Sequence, residues 1–414
     1  VHQTEQRSVI MQSIMTWLFC LYPVSLITNK TANDVVTALI FLAACATLVF
    51  VRQTPGTAPV PLRRLWLAAL ALPLLMVLLQ YLLPPGIIAL RDVDDLSRFF
   101  LCIPVYLALR ILRPSIRPFL WGCVFFTVFS MGLMAVHMHV LNLDRGINPN
   151  GFLGTIPQTS LSIILAMVAL QCWVAPDGVL RSRVAPAVLL AIAFSVPLLS
   201  QTRSGLGVAL ALGIVLWLLL PRKNVRVLLG SVGAAALVMV VVMSNSALWS
   251  RGDQTVAEIE RYMSEDHFVS TSTTTRLELW RFAGKMFAEH PLLGVGNHNF
   301  ADTLAAYKST GQTPAELGLF THPHNDVLKF AAEGGLLGTA AILMLYLAPL
   351  TAAWKRYRQR PSAASPALPL LVLCSGFILA GMVDVVLAWR PTIMFYGLAI
   401  SLLLVNMDSA GDEA

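Results

Sequence analysis

Apolar runs of about 17 or more residues recur along almost the whole chain, and no other feature constrains its fold as much. Each run is long enough to cross the hydrocarbon core of a bilayer as a helix, a form in which every backbone N–H and C=O finds its partner internally. Spans are expected near residues 9–28, 34–51, 65–83, 96–112, 118–140, 156–175, 184–200, 203–220, 225–247, 325–350, 367–388 and 391–407. The implied fold class is all-α: a polytopic membrane protein of about 12 transmembrane helices, forming a single domain over residues 1–414. Composition agrees, because only 12% of residues are charged, about half the share of a soluble domain. The first run has a weakly basic flank and no small-x-small cleavage site, so it is expected to be retained as a helix.

The net charge of +7 sits in short loops rather than on a soluble face. Loops after the even-numbered spans hold fifteen Lys and Arg residues, from Arg52, Arg63 and Arg64 through to Lys355, Arg356, Arg358 and Arg360. The short loops of the other side hold five: Lys30, Arg91, Arg145, Arg203 and Arg390. The positive-inside rule puts the first set in the cytoplasm, with both termini. The long hydrophilic segment, residues 250–324 between spans 9 and 10, then lies outside. No phosphate loop, zinc spacing or RNA-binding signature is present, and nucleic acid is not an expected partner. The six cysteines all fall inside apolar runs and read as small apolar residues.

Within the long loop, residues 276–291 carry Leu277, Leu279, Trp280, Ala283, Met286 and Phe287 on one helical face. A helix is expected there, packed on the bundle, with Thr274 or Thr275 as its N-cap and an irregular Ser/Thr-rich lead-in before it. Pro291 and the Gly294/Gly296 pair should end it.

In so apolar a chain, ionisable residues at the outer ends of spans are the informative ones. His324 stands at the entrance to span 10, where the positive end of the helix dipole favours a neutral imidazole, the form a general base needs. Asn325 and Asp326 can cap the helix or orient the ring, and Gly334 and Gly335 allow close helix approach. Arg203 opens span 8 against the dipole, a placement that an anionic headgroup or phosphate would favour. Asp92-Val93-Asp94 matches a short metal-holding motif of many glycosyltransferases, but two carboxylates beside Arg91 are a common coincidence, and no metal is expected.

His324-Asn325, nine residues, then Gly335-x-x-Gly338 resembles the signature of the O-antigen ligase and polymerase superfamily, which also includes pilin oligosaccharyltransferases. Arg203 in a Ser/Thr-rich turn, and Arg276 followed by an aromatic helix and Pro291-Leu-Leu-Gly-Val-Gly296, are similar to that family too. The resemblance implies a GT-C-like glycosyltransferase architecture in the inner membrane with a periplasmic site. The donor would be an O-antigen linked to undecaprenyl pyrophosphate, and the acceptor a sugar hydroxyl of lipid A–core. It further implies His324 as base, Arg203 and Arg276 as cations facing the diphosphate, and no cofactor or metal. Arg145, Asn325, Tyr307, His298, Asp384 and Arg390 are the lesser candidates for binding substrate. A polymerase or a pilin transferase would share the chemistry. A lipid–glycan flippase is the alternative of another class, disfavoured because the suggestive groups gather on one face of the membrane.

Overall fold

A computed structural model describes residues 2–51, 61–83, 87–139, 153–170, 184–200, 202–219, 258, 260, 271–314, 317, 320–362 and 364–412. Their regular structure is entirely helical. The helices are α1 (His2–Thr28), α2 (Lys30–Phe50), α3 (Pro61–Leu82), α4 (Asp94–Leu112), α5 (Arg117–His139), α6 (Thr155–Ala169), α7 (Val184–Leu199), α8 (Arg203–Leu219), α9 (Ser272–Glu289), α10 (Phe300–Ser309), α11 (Asp326–Gln359), α12 (Leu368–Val383) and α13 (Arg390–Asp412). Among the described residues, six stretches are long and apolar enough to cross a membrane: Gln6–Thr28, Lys30–Phe50, Arg64–Leu82, Arg117–Val136, Asp326–Gln359 and Arg390–Ser409. Shorter apolar helices accompany them at Thr155–Ala169, Val184–Leu199, Ser204–Leu219 and Leu368–Val383. Eleven of the twelve expected spans therefore coincide with helices. The expected span 225–247 lies outside the described residues.

The bundle has one extended apolar core. Phe19 and Tyr22 of α1, Phe99 of α4, Phe119 of α5, Phe377 of α12 and Phe395 and Tyr396 of α13 are all but fully buried in it. Large apolar side chains also point outward, among them Trp17, Leu42, Val49, Phe129 and Leu218. A soluble monomer rarely exposes so much apolar surface, whereas a lipid-facing bundle must. The fold is that of an all-α, polytopic membrane protein.

Helices α9 and α10 of the long loop dock on the start of α11. Leu279, Phe282, Ala283 and Met286 of α9, with Val295, Phe300, Leu304 and Leu317, build a second, smaller core against Ala332. Burial of each large side chain there is worth about 1.5–3 kcal/mol. Two expectations are corrected. The N-cap of α9 is Thr271, whose hydroxyl accepts from Thr274 N at 3.2 Å, while Thr274 Oγ1 accepts from Thr271 N at 3.0 Å. Residues 272–275 of the Ser/Thr run therefore form the first helical turn rather than an irregular lead-in, while residues 267–270 lie outside the described residues. The buried stripe also rotates toward Phe282, leaving Leu277 and Trp280 half-buried beside a cavity.

Helix α11 is not continuous. Gly335 has φ 59° and ψ −146°, a conformation available essentially to glycine alone. The break leaves backbone groups without helical partners, and the stretch after α9 supplies them. Val295 N and Gly296 N donate to the carbonyls of Ala332 and Glu333 at 2.9 and 3.0 Å, and Leu336 N donates to Pro291 O at 2.7 Å. A Cβ on Gly335 would lie 2.5 Å from the carbonyl carbon of Leu292, and one on Gly294 2.4 Å from that of Glu333. Gly334 serves the close approach expected of it, since a Cβ there would meet Met76 Sδ of α3 at 2.3 Å, and Gly338 shares the role, its Cβ meeting the same atom at 3.1 Å. The Pro-Leu-Leu-Gly-Val-Gly stretch is thus the backbone partner of a broken helix.

Candidate active site

The break matters because it fixes the first turns of α11, and the sequence Thr321–Asn325 enters those turns. Asn325 is the N-cap, accepting from Leu328 N at 3.0 Å. Its amide nitrogen donates to Met382 O at 3.1 Å, so one buried side chain ties the start of α11 to the end of α12. Asp326, fully buried, does the same work one residue later. Its Oδ1 accepts from Val386 N and Leu387 N, each at 3.0 Å, and its Oδ2 accepts from the Tyr346 hydroxyl at 2.7 Å. These bonds hold residues 384–389 in a non-helical path between α12 and α13. The expected span 367–388 accordingly stops as a helix at Val383, because the amides of Val386 and Leu387 bond to Asp326 instead of to a preceding turn.

Asp384, the C-cap of α12, is turned by this path toward His324. His324 Nδ1 and Asp384 Oδ1 are 2.9 Å apart, and Oδ1 also accepts from Val385 N at 2.8 Å. A carboxylate that already receives a backbone N–H is an acceptor, so the ring proton belongs on Nδ1 and the lone pair on Nε2. The His324 backbone has φ 52°, an uncommon value for a non-glycine residue. Strain of this kind persists where surrounding contacts over-determine it. Here they include the 3.3 Å bond from His324 N to His322 Nδ1 and the bond from Trp280 Nε1 to Pro323 O at 2.9 Å. The His322 and His324 rings meet edge to face with centroids 4.4 Å apart, and Trp389 lies edge-on to His322. Burial first, which disfavours the charged ring, pushes the His322 pKa below the ordinary histidine range. One nitrogen from each ring and a carboxylate oxygen of Asp384 all lie within 4.8 Å of one another.

Next to this loop is a cavity of about 460 Å³ lined by Ile156, Thr202, Ser204, Ser272, Thr273, Arg276, Leu277, Trp280, Met382 and Val383. Arg276 sits on its wall one turn of α9 before Trp280. Arg203 is the first residue of α8, between the two lining residues Thr202 and Ser204. The cavity therefore has hydroxyls and a guanidinium on one side and the end of α12 on the other. Met382 and Val383 connect it to Asp384, and Trp280 connects it to the histidine loop.

The lesser candidates divide. Arg390 and His298 come together, but with each other's acidic partners. Arg390 pairs with Asp94 (Nη2 to Oδ2, 2.9 Å) and with Asp95, and His298 Nε2 lies 3.1 Å from Asp95 Oδ2. His298, like His324, has a positive φ, 66°. Tyr307 belongs to the second core, its ring tilted against that of Phe282 and its hydroxyl donating to Glu289. It does not line the cavity. Arg145 lies outside the described residues. Of the Asp92-Val93-Asp94 pair, Asp92 accepts from Ala89 N at 3.1 Å, while Asp94 binds Arg390 and Arg98. Asp326 was expected to cap the helix or orient the ring; its tie to Val386 and Leu387, and the bond from Trp280 to Pro323, are what pattern alone did not give. The signals available were a buried acid directly after an N-cap and a polar-tipped aromatic one turn beyond a candidate arginine.

No curated protein matches this sequence. Residues 187–343 match the family model described as O-Antigen ligase. That segment contains Arg203, Arg276, His298, Tyr307, His324 and Asn325, and it runs from α7 past the break in α11; Asp384 and Arg390 lie beyond it. The matched segment lies within a helical bundle whose long apolar helices make this a multi-pass membrane protein. Over this segment, less than half of the chain, the sequence is similar to the O-antigen ligase family.

Proposed function

We propose that the chain is an O-antigen ligase, which moves O-antigen polysaccharide from undecaprenyl pyrophosphate to a sugar hydroxyl of lipid A–core. The observation that carries this reading is the His324–Asp384 pair beside a cavity walled by Arg276. Asp384 holds the Nδ1–H, so Nε2 is free to take the acceptor's hydroxyl proton. The acceptor oxygen then attacks the anomeric carbon from the side opposite the diphosphate. The bond from that carbon to the diphosphate oxygen breaks, and undecaprenyl pyrophosphate departs with the bonding pair. Displacement in one step inverts the anomeric centre.

Charge grows on the diphosphate as it leaves, and fixed cations in a water-poor site stabilise that charge most. Arg276 has the guanidinium fork suited to phosphate oxygens. Arg203 is the second cation, at a helix start whose free N–H groups also favour an anion. No metal enters the scheme: His324 supplies the base, and the two arginines supply the charge. The fifteen-to-five loop asymmetry supports an inner-membrane orientation with this site in the periplasm and both termini in the cytoplasm.

The test is reconstitution of the purified chain in nanodiscs with lipid-linked O-antigen and lipid A–core, with and without EDTA. Glycosylated lipid A–core, formed equally in both, is the expected product. Extension of the donor glycan on itself, with lipid A–core untouched, would instead make the chain a polymerase.

A further inference from the structure

The two imidazoles of the site pose a separate chemical question. General-base catalysis needs one ring, yet His322 and His324 are packed with centroids 4.4 Å apart, and both are near the same carboxylate. The three donor atoms lie within 4.8 Å of one another. All three residues are held. His324 is fixed by its left-handed backbone and by Asp384, His322 by the N–H of His324 and by Trp389, and Asp384 by Val385 N. Two ring nitrogens and one carboxylate oxygen form a donor set that suits a zinc ion with a fourth position open to water. The same set suits magnesium poorly, since that ion prefers oxygen ligands and retains its water.

We infer that His322, His324 and Asp384 form a zinc-binding site whose occupation silences the base. The inference deepens the reading of His324 as the base and depends on it. Zinc on His324 Nδ1 displaces the proton held against Asp384, and that proton passes through solvent to Nε2. The ring stays neutral, and its single N–H now stands where the lone pair had been. Zinc on Nε2 instead would occupy that lone pair directly. Either way the acceptor hydroxyl loses its proton acceptor, while the cavity wall carrying Arg276 is unchanged.

The experiment uses the full, untagged chain in nanodiscs, titrated with zinc chloride against a chromogenic chelator, with magnesium chloride as the contrast. Binding of one zinc per chain, with loss of that binding in His322→Ala and in Asp384→Asn, is expected. His298→Ala should keep it, because His298 belongs to the separate cluster with Asp95. Melting temperatures establish that each variant is folded, and the two loss variants stand independently of one another. In the wild-type chain, zinc at saturation should abolish glycan transfer, and an excess of chelator should restore it. A chain that binds no zinc, or variants that bind it as wild type does, would overturn the site. If such a chain still lost transfer on His324→Ala, the reading of His324 as the base would survive. Zinc bound at these three residues with transfer undiminished would overturn the silencing, and the base assignment with it.

Discussion

At the scale of single residues, the site rests on a division of labour that kinetics can separate. His324→Ala removes a general base and should lower single-turnover transfer by about 10²–10⁴-fold with donor affinity nearly unchanged. His322→Ala removes a ring that only accepts the His324 N–H at 3.3 Å, and its loss should be far smaller. Asp384→Asn keeps the shape and loses the charge that fixes the His324 tautomer, so it should reduce turnover while leaving donor affinity intact. The arginines should behave differently. Arg276→Ala and Arg203→Ala should weaken donor binding as well as turnover, and Lys at either position should rescue only in part, because an ammonium lacks the fork of donors. A folded His324→Ala chain with normal transfer would leave the arginines as the source of catalysis. Of these residues, His324 and the arginines were legible in the sequence because a spacing and two local contexts marked them. The partnership with Asp384 was not, since it joins positions 60 residues apart. The acid was visible only as a lesser candidate for binding substrate, not as the partner of His324.

The helices and loops explain why the site holds its shape. Gly335 breaks α11, and residues 291–296 fill the break with backbone hydrogen bonds, so the histidine loop is anchored on both sides of α11's first turns. Gly335→Ala places a Cβ 2.5 Å from the Leu292 backbone and forces a conformation that costs about 1–3 kcal/mol for a side-chain-bearing residue. It should lower the melting temperature sharply and take transfer with it. Gly284→Ala is the matched contrast. Gly284 lies on the exposed face of α9 with nothing within 4 Å of its added Cβ, so the change should stabilise by about 0.5–1 kcal/mol. Differential melting of the two variants in the same detergent decides between them, and equal effects would remove the break's special standing. The sequence anticipated α9 from its apolar period and the glycines from their spacing. It did not give the break, because the Gly335 conformation depends on a partner strand of backbone some 40 residues earlier. Nor did it give the early stop of α12, which follows from Asp326 competing for the amides of Val386 and Leu387.

For the whole molecule, the legible part was large, because membrane crossing imposes long apolar runs that a hydropathy reading detects directly. Eleven expected spans are helices, and the residues singled out by charge converge on one end of the bundle: the starts of α4, α8, α11 and α13 and the end of α12. Which compartment that end faces is a matter of loop charge, and it can be tested without any assay of activity. Ser309 is the exposed last residue of α10, in the long loop and away from the cavity wall. Ser309→Cys, in a background whose six cysteines are replaced by alanine or serine, places one reactive thiol on that loop. With the loop outside, an impermeant maleimide should label the thiol in intact spheroplasts as fully as after lysis. A cysteine at Ser362, in the loop after α11 that follows four basic residues, should label only after lysis. The opposite pattern would invert the protein. It would put the histidine loop in the cytoplasm, where a ligase joining two lipid-anchored substrates on the outer leaflet could not work, so the topology and the proposed function fall together or stand together.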